Sequence, residues 1–439
     1  MSAEKIKQNR KRFSIYYGWV IVVLAAIAMA ATLPGRTHGL GLITKRLLED
    51  LHLSPANFAW MNVIATLIGA AFCLPCGWMI DRYGIRRVCG MVFLLLALAV
   101  LGLSSISDTR ILLILLTFTR GFGQSMLSVV SITMVGKWFH RRIGPAMGVY
   151  SVLLSLLMAA GTGLLGSEII RVGWREAWAS QGWILLCCVP FMFLLVRSQP
   201  RDFSIEFQTK HEASSSTCQP VGATLVQALL TPCFWMFALS ISFFGLISSG
   251  LSLFNQYVLE ERGFSEEVFH SVLVIGLLFG MLANLGAGWL SKKISLEKLL
   301  CFSMLLLAGT LFCFPFVQTI FQVYAYAAVK GIAGGILTVL FFAVWSHGYG
   351  TTQLGRIQAA AQMLTVLFSA VGPIFVESSR NYTGSYMQVF FLAAGISASF
   401  GVLAWFTQVP SVARGDWQEK NSEDNLSNLT HTEISGNLQ

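Results

Sequence analysis

Twelve apolar runs, six on either side of a polar stretch, leave this chain few ways to fold. The first six lie at about 16–46, 56–80, 88–105, 110–136, 144–169 and 178–197. The second six lie at about 223–258, 266–290, 296–316, 319–346, 354–377 and 384–408. A helix needs about 20 apolar residues to cross a bilayer. Lipid offers the backbone no hydrogen-bond partner, so each run is expected to be a helix that satisfies itself. Only 12% of the residues are charged, where a soluble domain carries about a quarter. The fold class that follows is an all-α integral membrane protein, with twelve transmembrane helices in two six-helix bundles.

The divisions follow the same pattern. Residues 1–15 form a basic N-terminus, 16–197 the first bundle, 198–222 a linker, 223–409 the second bundle and 410–439 a polar tail expected to be disordered. The net charge of +9 is not a nucleic-acid footprint, because membrane proteins concentrate Lys and Arg on cytoplasmic loops. Arg82, Arg86 and Arg87, then Lys137, Arg141 and Arg142, then Lys292, Lys293 and Lys298 fall on alternate loops. The intervening loops mix signs, as in Lys45, Arg46, Glu49 and Asp50. Both termini are therefore expected in the cytoplasm of a multi-pass plasma-membrane protein. The basic head and first run mimic a signal peptide. Removing that run would orphan the next span, so it is read as a retained helix.

Nine cysteines are present, most of them inside apolar runs. Cys73 and Cys76 form a C-x-x-C beside Pro75 within the second span. Redox or metal chemistry wants a polar, accessible setting, so these are read as small buried side chains. No cofactor or metal is expected. No nucleophile–base set emerges either, so an enzyme is not expected.

The two halves read as copies. GWMIDRYG from Gly77 aligns with GWLSKKIS from Gly288, Gly144 with Gly355 and Gly161 with Gly372, each 211 residues on. Arg120 in TFTRGFGQS aligns with Lys330 in AAVKGIAGG at 210. Inside the first copy, Gly77–Arg87 (GWMIDRYGIRR) separates two apolar runs and is read as a short polar turn. It resembles the signature of the major facilitator superfamily of transporters, G-x-x-x-D-R-x-G-R-R, with Gly77, Asp81, Arg82, Gly84, Arg86 and Arg87 at the matching positions. The resemblance implies a substrate site between the halves near the midplane. It also implies a gating role for this motif, in which Asp81 and its arginines latch the halves. In the second copy Lys292 stands where the acid should be, so the latch is expected to be one-sided. YYGWVIV, KWFHRRIGPAMG and LLTPCFWMFALS are similar to a narrower branch, the monocarboxylate and oxalate–formate porters.

Charge inside a span is the informative class, because a charge at the bilayer centre costs at least about 2.5–3.5 kcal/mol and faces a cavity or a partner. Arg36, His38, Arg120 and Lys330 qualify. Pseudo-symmetry predicts Arg120 and Lys330 on opposite walls of one cavity. No acid of the sequence lies mid-span to pair them, which calls for an anionic substrate. Arg36 sits in TLPGRTHGLG, where Pro34 and the glycines predict a broken helix. Its planar fork suits a carboxylate. On an ideal helix His38 points away from Arg36, and it is the candidate proton carrier. Arg120 and Gln124 also resemble a structural pair of this superfamily, in which the arginine bonds backbone. The substrate-binding set is thus Arg36, Arg120, Lys330 and Gln124, with His38 for protons.

The porters of the narrower branch carry their cations in spans 8 or 11. This chain departs from that, so "organic anion" is the better-supported class. The function expected is secondary transport of a small organic anion, a carboxylate or sugar acid, by a monomer that exchanges access between the two faces and couples to protons. The alternatives are a drug or metabolite efflux antiporter and a transport-dead nutrient sensor.

Overall fold

A computed structural model describes residues 17–139, 143–197 and 222–410. The expected basic N-terminus, all of the linker but Gly222 and all of the tail but Pro410 lie outside those residues, as do His140, Arg141 and Arg142. Among the described residues, eleven helical stretches are long and apolar enough to cross a membrane. The twelfth span is the first, built from two helices.

In that first span, α1 (Tyr17–Ala30) and α2 (Thr37–Asp50) flank a 3₁₀ turn at Leu33–Gly35. Pro34 supplies no N–H to continue α1, and Arg36 is extended (φ −99°, ψ 154°), so the helix breaks where the sequence predicts. Span 2 is α3 (Pro55–Ala71) with α4 (Cys73–Tyr83), and span 3 is α5 (Ile85–Ser104). Span 4 is α6 (Thr109–Thr119), a π-helical stretch Arg120–Leu127 and α7 (Ser128–Trp138). Spans 5 and 6 are α8 (Ile143–Val172) and α9 (Trp174–Leu195). In the second half a short helix, α10 (Leu225–Leu229), precedes α11 (Pro232–Glu261), α12 (Glu266–Leu290), α13 (Leu296–Cys313), α14 (Ile320–Tyr349), α15 (Leu354–Thr383) and α16 (Met387–Trp405), which are spans 7 to 12.

Two expectations change here. The seventh span, expected from 223, begins at Pro232. Thr231 caps it, and a Thr224–Gln227 capping box makes 225–229 a separate helix. Gly77–Arg87 is not a loop. Residues 77–83 finish α4, Gly84 alone breaks the chain at φ +83°, and Arg86 and Arg87 lie in the first turn of α5. That φ belongs to glycine because a Cβ would clash there.

The packing repeats along with the sequence. In the first half span 1 lies on span 5, span 2 on span 4, and span 3 on span 6. In the second half α11 lies on α15, α12 on α14, and α13 on α16. Large apolar side chains such as Trp183, Phe191, Phe302 and Trp405 remain exposed on the outer spans, as a lipid-facing wall requires. Spans 1 and 7 start, and spans 6 and 12 end, at the face carrying Arg82, Lys137, Lys292 and Arg356, called the basic face below.

Candidate functional site

The break in span 1 leaves the Gly35 carbonyl without a helical partner, and a carbonyl orphaned at membrane depth must find another donor. Arg120 of span 4 supplies it: Nη1 donates to Gly35 O at 3.0 Å, Thr37 Oγ1 at 3.2 Å and Gln124 Oε1 at 2.9 Å. Its Nη2 donates to Asn62 Oδ1 of span 2 at 2.5 Å. The side chain is 2% exposed. Backbones touch beneath it, since a Cβ on Gly35 would stand 2.5 Å from Thr119 O and 2.9 Å from Gly123 Cα. Arg120 therefore ties three spans together through neutral acceptors. Asn62 carried no sequence signal, being one polar residue within an apolar run.

Arg36, one residue beyond the break, is half-buried. Its Nε donates to Thr32 Oγ1 at 2.6 Å, and Nη2 lies 3.2 Å from both Met29 Sδ and Ser128 Oγ. Nη1 has no partner among the described residues, and no carboxylate pairs with the guanidinium. Because Arg36 is extended, ideal-helix geometry does not relate it to His38. The backbone of His38 lies in α2, and its side chain falls outside what the structure describes. Nearby, Ser131 gives its proton to Ala25 O (2.7 Å), so the buried Tyr150 hydroxyl donates to Ser131 Oγ at 2.8 Å. The rings of Tyr150 and Phe342 of the second half pack edge to face across the halves, their centres 5.1 Å apart.

Lys330 lines a cavity of about 330 Å³ between the halves, with α8 on one side and α11, α12 and α14 on the other. Its ammonium lies 5.7 Å from the Tyr326 ring centre and has no acid partner among the described residues. Arg120 is not part of this wall. The expected facing of Arg120 and Lys330 across one cavity is therefore not found, because the break in span 1 claims the Arg120 side chain.

Two close crossings seal the halves at the basic face. A Cβ on Gly77 would stand 2.5 Å from Gly355 O, and one on Gly288 would stand 2.8 Å from Gly144 O. These are the same contact twice, since Gly77 corresponds to Gly288 and Gly144 to Gly355. At the first crossing Asp81 accepts from the backbone N–H of Gly355 (3.2 Å) and Arg356 (3.1 Å) at the positive end of α15. Lys137 pairs with it at 3.2 Å, a partner the sequence did not indicate. The motif arginines stay on the first half. Arg82 lies over Trp78 and Tyr83, and Arg86 donates to Phe193 O at 2.5 Å. Arg87 is exposed. The crossing of the halves thus runs through Asp81 and the glycines rather than through the arginines.

The sequence matches the Major Facilitator Superfamily over residues 13–373 and again over 237–435. It is 21% identical over 374 residues to the hexuronate transporter of Bacillus subtilis, covering 81% of this chain and 86% of that protein. It is 26% identical over 173 residues to human monocarboxylate transporter 14, a match spanning 38% of this chain and 33% of that one. Among solved structures, the human organic anion transporter MFSD10 superposes with a TM-score of 0.67 at 15% identity, covering 88% of this chain and 99% of that chain.

Proposed function

The chain belongs to the Major Facilitator Superfamily, and from that premise we propose that it carries a small organic anion, a carboxylate or sugar acid, by alternating access coupled to protons. One observation carries the reading. Arg36 in the first half and Lys330 in the second stand within spans, each without a carboxylate partner among the described residues. Two uncompensated cations at membrane depth are costly, and an anionic substrate lowers that cost as it binds. Placing one cation in each half lets the bound anion draw the halves together, which is the motion alternating access needs. The similarity to the hexuronate and organic anion transporters described above supports this class.

Within this proposal Arg36 and Lys330 hold substrate, while Arg120 and Gln124 hold the broken span in shape. His38, two residues beyond Arg36, is the proposed proton carrier, since imidazole titrates near neutral pH. Asp81 and its motif neighbours govern opening at the basic face, which is assigned to the cytoplasm by its surplus of Lys and Arg. The cell membrane is the proposed location, the monomer the working unit, and transport without catalysis the activity.

The test is uptake by vesicles reconstituted with the purified protein, screened against carboxylates, sugar acids, phosphate esters and cationic drugs. Anion uptake that falls when Arg36 or Lys330 is neutralised supports the reading. Transport of cations with indifference to carboxylates would replace it with the efflux alternative.

A further inference from the structure

The cavity beside Lys330 has a polarity that a charge count alone does not capture. Lys330 is its one charged lining residue among the described residues. Three hydroxyls around it have already given their protons to their own helices: Thr338 to Gly334 O at 2.8 Å, Ser151 to Met147 O at 2.8 Å and Ser155 to Ser151 O at 2.9 Å. Each hydroxyl so committed has only acceptor lone pairs left. Asn284, 5% exposed, lines the same cavity, and its Oδ1 has no partner among the described residues. The Tyr326 hydroxyl, on a residue 6% exposed, also has no partner among the described residues.

These groups cannot re-pair by sliding. Gly331 and Gly335 press α14 onto Gly276 and Gly280 of α12, and a Cβ on Gly335 would stand 2.5 Å from Gly280 O and 3.2 Å from Asn284 N. The spacing between Asn284 and Lys330 is therefore set by backbone contact. A buried acceptor left without a donor costs more than a satisfied one returns.

We propose that this cavity is a hydroxyl-reading subsite, so that the anion carried is a hydroxylated carboxylate whose carboxylate meets Lys330 and whose hydroxyl donates to Asn284 Oδ1. The proposal rests on the anion reading above and narrows it. A donor on the ligand must be a neutral hydroxyl rather than an ammonium, because a second cation beside Lys330 would be repelled. Sites built to bond a substrate hydroxyl reject analogues that lack it far more strongly than apolar pockets reject a methylene.

The experiment is equilibrium binding to the full chain in lipid nanodiscs, with hexanoate, gluconate, galactonate and glucuronate as probes. At least one hydroxylated acid is expected to bind about tenfold or more tightly than hexanoate. Asn284→Ala is expected to remove about tenfold from that acid and to leave hexanoate unchanged. Equal binding of all four acids, or a loss in Asn284→Ala shared equally by hexanoate, would overturn the hydroxyl subsite and leave the anion reading standing. Failure of all four to bind the wild-type protein would sink both. The wild-type comparison needs no variant, so poor folding of Asn284→Ala does not remove the test.

Discussion

Arg120 donates to the carbonyl of Gly35 at 3.0 Å, so a side chain of the fourth span completes the interrupted backbone of the first. The same guanidinium holds Asn62 and Gln124. That arrangement separates what shapes the site from what fills it, and the two make different predictions.

Arg120→Lys is expected to lower the melting temperature of the purified protein together with its transport. One ammonium cannot span Gly35, Asn62 and Gln124, and each lost bond to a charged group costs about 1.5–3 kcal/mol. Unchanged melting with uptake abolished would return Arg120 to the substrate.

Arg36→Gln and Lys330→Gln behave differently on this account. Each removes a cation that has no carboxylate partner among the described residues, so each should lower the melting temperature less than Arg120→Lys does. Anion uptake should fall at least about tenfold in either variant, as expected when a charge-assisted contact is lost. Full uptake in both, measured in reconstituted vesicles, would take the substrate away from these two cations.

For Asp81→Asn the expected change is in conformation. The variant loses the ion pair with Lys137 and weakens the cap on α15, a helix-terminus effect of about 0.3–1 kcal/mol. The halves should separate more often at the basic face. Spin labels at Arg87 and Lys298, on a background freed of the exposed Cys187 and Cys313, should report a longer distance. Altered preference among substrates, with that distance unchanged, would assign Asp81 to the site instead.

His38→Gln should remove acid stimulation of uptake while leaving binding of the anion in place. A pH profile identical to that of the wild type would take the proton away from His38.

Much of the fold could be read directly. The twelve spans follow from run length. The repeat follows from landmarks sharing one spacing, and the break in span 1 follows from Pro34, whose missing N–H acts locally. The Gly77–Arg87 motif was recognisable as a pattern but mistaken for a loop. Its polar residues look like a turn, yet only Gly84 leaves helical geometry. The separate helix at 225–229 was hidden in the apolar run that continues into span 7.

What the sequence determined by itself is what depends on neighbours along the chain: which segments enter the membrane, where one breaks, and which charges lack a local partner. Tertiary structure alone decided that Arg120 turns to Gly35 and Asn62, that Lys137 joins Asp81, and that Lys330 shares a cavity with Asn284. Those pairings depend on which helix faces meet. In a membrane bundle the lipid-facing and buried faces are both apolar, so periodicity carries little record of them. Close backbone approach at glycine pairs such as Gly77 with Gly355 sets that register, and it exists only once the helices have packed.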